Sequence, residues 1–167
     1  MTARDNFQAW FARPIQKLAD DRDSGIVICM IVFPLLERYL TRKTGADPEK
    51  LPFVEGLLNV FPELHSTGVA KIFWRNFRHG LLHNTTLSQE GHGLTHDIRV
   101  VVMEDQNEKI WLNPVLFAQR VLKIIEEDFE EFAGGLPLPK EIIIGAKPQS
   151  DEASVLFYGT SAPPRRG

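Results

Sequence analysis

The stretch VAKIFWRNFRHGLLH, residues Val69 to His83, carries the two signals on which the reading of this chain turns. At about 100° per residue, the rotation of an α-helix, Val69, Ala70, Phe73, Trp74, Phe77 and Leu81 gather on one side. Such a face needs a hydrophobic core behind it. The other side is a basic strip holding Lys71, Arg78, Leu82, Arg75, His79, His83 and Asn76 in that angular order. Arg78 and His83 stand five residues apart and therefore about 140° apart, one at each edge of the strip. One ligand reaches both by lying across the helix, by a distortion of the helix near Gly80, or through a second copy of the strip facing the first.

Upstream, Ser66 or Thr67 is the expected cap of this helix. Asp47 and Pro48 read as the cap and first residue of an earlier helix carrying Leu51, Phe53, Val54, Leu57, Leu58 and Phe61. Ser24 is the expected cap of another helix, running to about Lys43 and closed by Gly45. Phe7, Trp10, Phe11, Ile15 and Leu18 form an apolar stripe over Asn6 to Asp21, which Pro14 is expected to kink. Downstream, Asn84 to Gly93 has the composition of a surface loop. Ile98, Val100 and Val102 then alternate with Arg99 and Val101, and Ile110 and Leu112 follow a polar turn, the pattern of a β-hairpin over 97–112. Asn113 and Pro114 open a last long helix that Gly134 and Gly135 end. Beyond it an extended or disordered tail is expected over 136–167, with a short strand at Ile142 to Ile144. The expected fold is mainly α: a bundle of about five helices over 1–135, with one hairpin before the last helix.

With 43% apolar residues the chain can bury a core, and its net charge of -3 gives no overall positive field for nucleic acid, so a polyanion must meet a local basic face. The one cysteine, Cys29, falls in the apolar run Ile26 to Val32 and reads as a small buried hydrophobe. That run is short of the ~20 residues of a membrane helix and Pro34 follows it. The start, MTARDNFQAW, lacks the apolar region of a signal peptide. These features point to a cytoplasmic protein with no membrane partner.

A strip of arginine and histidine suits phosphodiester cleavage in RNA. Neutral histidine takes the proton of a 2′-hydroxyl, and the planar guanidinium matches phosphate oxygens and keeps its charge. The route needs no metal and no cofactor. Asn76 is placed to orient the substrate or the imidazole, and Arg75 to add a phosphate contact.

Arginine, then Asn, Asp or His, then three spacers and a histidine late in a helix of a small bundle resembles the HEPN superfamily, matched here by Arg78, His79 and His83. The resemblance covers the helical order from Asn6 to about Gly134. It implies a metal-independent endoribonuclease of the toxin or phage-defence kind, working as a homodimer in which two motifs meet, with a cognate antitoxin or regulatory protein as a further partner. By residue it implies Arg78 as the phosphate-binding group, His79 as the residue that tunes it and His83 as the general base or acid. The hairpin and tail depart from the minimal bundle. Members that bind nucleotide, RNA or protein without cleaving supply the alternative.

Other readings compete. A basic face near a helix C-terminus is favoured by the macrodipole alone, by about 0.3 to 1 kcal/mol. His79 with His83, and His92 with His96, have the i, i+4 spacing of zinc ligands, yet Gly80 stands where a metalloprotease helix carries glutamate. Phe73, Trp74 and Phe77 could stack on bases, but their apolar face predicts core packing. Glu126, Glu127, Asp128, Glu130 and Glu131 read as the wet side of the last helix.

Overall fold

The computed structural model describes residues 2–84 and 91–134, with the side chains of His83 and Asn84 outside that description. The expected tail, its short strand and residues 85–90 of the expected loop lie outside the described residues. The described part is a helix bundle with a small sheet, as the mainly α reading requires.

The first helical stretch is α1 (Ala3–Phe7), a π-helical turn at Gln8–Ala12, and α2 (Arg13–Leu18). Thr2 and Asp5 cap it reciprocally. The irregularity expected at Pro14 appears just before it: the Arg13 N–H reaches back five residues to the Gln8 carbonyl. Helix α3 (Gly25–Thr44) is central and ends at the left-handed Gly45 (φ 65°) as expected, whereas Ser24, though it stands just before the helix, does not cap it: its hydroxyl donates to Asp21 at 2.7 Å. Pro34 sits inside α3 on an exposed side, where its missing N–H is tolerated, and does not end it. The helical run Arg22–Thr44 is thereby long and apolar enough to cross a membrane by length and composition, contrary to the expectation of a short run. Within the bundle 56% of its most apolar window is buried, and that burial accounts for its composition.

Asp47 and Pro48 do not open a helix. The Lys50 N–H bonds the Asp47 carbonyl at 3.2 Å, making a turn in which Pro48 and Glu49 are the central residues and Glu49 takes φ 70°. Helix α4 (Leu51–Val60) begins only after that turn, with Pro52 in its first turn. Ser66 accepts from the Val69 N–H and caps α5 (Thr67–Phe73), which continues through a π-helical segment, Trp74–His79, into α6 (Gly80–Asn84).

The hairpin is shorter than expected, and a strand is added. Strand β2 (Val102–Glu104) pairs antiparallel with β3 (Ile110–Leu112), while β1 (Gly93–Leu94) pairs parallel with the other edge of β3. Gly93 lies under the Trp111 ring, where a Cβ would come within 2.4 Å of it. Residues Ile98 to Val101 are not strand: Asn113 takes them instead, its Nδ2 donating to the Ile98 carbonyl and its N–H to that of Val101. The Asn113 Oδ1 meanwhile accepts from the N–H groups of Val115 and Leu116, capping α7 (Pro114–Glu127). The last helix breaks at Asp128 and resumes as α8 (Phe129–Ala133).

The core is aromatic. Phe33 of α3 meets Phe117 of α7 at 4.7 Å and Phe73 and Trp74 of the motif helix at 5.8 Å each, while Phe61 closes on Phe117 at 5.5 Å. Burying each such ring contributes about 1.5–3 kcal/mol. Together they lock the motif helix against α3 and α7, which fixes what its outer side faces.

Candidate functional site

The π-helical segment Trp74–His79 contains Arg75, Asn76, Arg78 and His79 and ends immediately before Gly80. Phe73, Trp74 and Phe77 are at most 1% exposed, so core packing, not base stacking, is their role here. The Trp74 indole N–H is buried with no hydrogen-bond partner among the described residues.

Asn76 corrects the sequence reading. Placed on the polar strip, it is 1% exposed and points into the bundle. It stands at the strip's edge nearest the apolar face, and packing takes that edge out of solvent, so it cannot meet a substrate from the surface. Arg78, His79 and Arg75 do lie on the outer side. His83 continues the helix in α6, and its side chain lies outside the described portion.

The outer side chains of the motif meet two carboxylates. Glu37 of α3 accepts from Nε of Arg78 at 2.7 Å and from Nη2 at 3.2 Å, a two-pronged pair about three quarters buried on either side. Glu49 lies 3.7 Å from Nη2 of Arg75 and 3.5 Å from Nε2 of His79. It does so from a left-handed backbone that a glutamate adopts at a cost of about 1–2 kcal/mol. Glu37, which holds the Arg78 guanidinium, is a partner that sequence reasoning missed. The available signal was that Glu37 is the one acid in the apolar helix 25–44.

Beside Arg78 opens a cleft of about 370 Å³ lined by Pro34, Glu37, Arg38, Thr41, Arg42 and Arg78. Arg38 donates to the carbonyls of Phe132 (3.0 Å) and Gly134 (3.3 Å) and lies over the Phe132 ring. Arg42 donates to the Glu131 carbonyl at 3.2 Å, with the Glu131 carboxylate 3.7 Å away. Burial, and after it the neighbouring Arg42, pull the Arg38 guanidinium below the usual arginine range. A larger cleft of about 650 Å³ includes Tyr39, Glu63 and Arg120. None of the motif residues lines it, and its Arg120 is already paired with Glu63 at 2.7 Å.

Among the histidines outside the motif, His92 serves the scaffold. His92 accepts the Ile110 N–H at Nδ1 (2.8 Å) and meets the Phe77 ring edge-on, and burial lowers its pKa. His65 lies 3.3 Å from Glu104. Among the described residues no three His, Cys, Asp or Glu side chains converge as metal ligands. Cys29 is fully buried, and burial pushes its thiol pKa far up, the opposite of an activated nucleophile.

No known relative emerges. The chain matches no family model, and comparison with curated proteins and with solved structures finds no match.

Proposed function

We propose that the chain is a metal-independent endoribonuclease of HEPN type, cytoplasmic and acting as a homodimer, with Arg78 and His83 as its reactive pair. In the proposed reaction a neutral His83 takes the 2′-hydroxyl proton, and the oxygen attacks the adjacent phosphorus. The P–O5′ bond breaks, the leaving oxygen receives a proton from an imidazolium, and the products are a 2′,3′-cyclic phosphate and a 5′-hydroxyl. Arg78 neutralises the phosphorane, and Glu37 holds its guanidinium plane while that charge develops.

The observation that supports this most is the π-helical segment ending at His79. A widened turn closes by i→i+5 bonding, so each step rotates about 82° rather than 100°. The interval from Arg78 to His83 starts inside that segment, and its one widened step, Arg78 to His79, narrows the 140° separation to about 120°. Distortion therefore brings the pair part of the way together. A second copy across a dimer seam is needed for the rest.

A second reading has an observation of its own. Glu37 and Glu49 oppose Arg78, Arg75 and His79 with two negative charges, which fits a module that binds nucleotide, RNA or a protein partner without cleaving it. Incubating the chain with a panel of structured and unstructured RNAs in EDTA separates the two. Cyclic-phosphate ends that disappear in His83→Ala support the nuclease, whereas intact RNA recovered after saturable binding supports the module.

A further inference from the structure

We propose that the cleft formed by Arg38, Thr41 and Arg42 of α3 beside Arg78 is a second phosphate subsite, holding the phosphodiester next to the scissile one in single-stranded RNA. The proposal rests on RNA being the ligand of the Arg78 face.

Charge is the first argument. Three guanidinium groups border the cleft against the carboxylates of Glu37 and Glu131, a local positive excess in a chain whose net charge is -3. This is the local basic face that a polyanion requires here.

The way the arginines are held is the second. Several cations in this fold are fixed by carboxylates, as Arg22 is by Asp97 and Arg120 by Glu63, both at 2.7 Å. Arg38 is fixed by main-chain carbonyls, which set the plane of the guanidinium, and no carboxylate among the described residues pairs with it. Arg42 uses Nε on the Glu131 carbonyl, and its two Nη groups donate to no described residue. The two side chains stand one helical turn apart on the same face, where like charges repel, and a bound anion relieves that repulsion. Capping the carbonyls at the end of α8 explains the bonds. It does not explain an open cleft that runs from those arginines past Thr41, a hydroxyl donor, to Arg78.

Position is the third. Arg78 is paired with Glu37 on the same helix and the same cleft wall as Arg38 and Arg42. A strand whose reacting phosphate lies at Arg78 therefore has its next phosphate on α3 rather than on the motif helix, where Glu49 engages Arg75 and His79.

The test uses the full chain carrying His83→Ala and a 5′-fluorescein 12-nucleotide RNA of mixed sequence, read by fluorescence anisotropy from 50 to 200 mM NaCl. Thr41→Glu, which sets a carboxylate in a half-buried wall of the cleft, and Arg42→Gln should each weaken binding tenfold or more. Arg42→Gln should also lower the salt slope by about 0.7, the value for one phosphate contact on a single strand. Arg42→Lys should restore most of the affinity, which a folding defect would not allow. Lys123→Glu, an exposed charge change outside the cleft, should alter affinity less than twofold. Unchanged binding in both Thr41→Glu and Arg42→Gln overturns the subsite, and so does an equal loss in Lys123→Glu. The two claims fail separately. If the parent chain cuts RNA and the cleft variants bind normally, the nuclease stands and the subsite falls. If it cuts nothing yet binds with the expected sensitivity, the subsite stands alone.

Discussion

Glu37 grips Arg78 through both Nε and Nη2, at 2.7 and 3.2 Å, across 41 residues of sequence. The pair joins the central helix to the motif helix and decides what the arginine offers a ligand. Because both side chains are mostly buried, losing one leaves the other in a medium that penalises an unpaired charge.

Glu37→Gln keeps the shape and removes the charge. Stability should fall by about 1–2 kcal/mol, between the values for exposed and buried pairs. RNA affinity at low salt should rise several-fold as Arg78 loses its competing carboxylate, while any cleavage falls because the guanidinium is no longer held in plane. Denaturant midpoints and anisotropy read both effects; no change in either would mean that the pair neither holds nor masks Arg78.

Glu49 occupies φ 70° in the turn before α4. Glu49→Gly relieves a backbone cost of about 1–2 kcal/mol and adds about 0.4–1 kcal/mol of unfolded-state entropy to be lost on folding. The net expectation is a stabilisation of up to about 1 kcal/mol, with Glu49→Val destabilising at the same position. A urea midpoint that drops in Glu49→Gly would instead show that the carboxylate facing Arg75 and His79 outweighs the strain.

His92 gives the fold a pH dependence. Burial lowers its folded-state pKa below 6.5, with Asp105 opposing and Lys109 reinforcing the shift. The unfolded chain then binds the proton more readily, so this contribution is complete above about pH 6.5 and is lost as pH falls towards the folded value. Protonation also takes away the Nδ1 acceptor of the Ile110 N–H. The melting temperature should decline between pH 7.5 and 5.5, and His92→Asn, which keeps an acceptor and cannot titrate, should decline less. An equal decline in the two proteins would remove His92 from the account.

Phe117 touches Phe33, Phe61 and Phe73, so it joins three helices and the segment after α4. Phe117→Ala should cost about 3–5 kcal/mol, enough to unfold a marginal domain at 37 °C. A loss below 1 kcal/mol, measured by urea denaturation, would contradict a core centred on these rings.

What could be read in advance follows from how local each signal is. Ser66, Gly45 and the pair Asn113–Pro114 mark helix ends because a cap needs only its own few residues, and each stands at the end it marks. Asp47–Pro48 misled because the same dipeptide opens a turn, and nothing in the letters says that Glu49 takes a left-handed backbone. Strand β1 is two residues long, too short for alternation to appear. The π-helical segment is invisible in a polar and apolar pattern, since widening a turn changes angles and not residue types. At the site, Arg75, Arg78 and His79 lie on the outer side as expected, while Asn76 turned inward. Glu37 and the Arg38–Arg42 cleft wall were hidden because they are brought to Arg78 from the central helix by tertiary packing.

The most direct measurement is RNA cleavage in 10 mM EDTA by the parent chain, His83→Ala and Arg78→Ala, with product ends identified by mass spectrometry. The nuclease account expects 2′,3′-cyclic phosphate ends from the parent and a loss of at least about 100-fold in His83→Ala, the scale of removing a general acid–base group. Equal cutting by His83→Ala, or no cutting of any RNA by the parent, would contradict it.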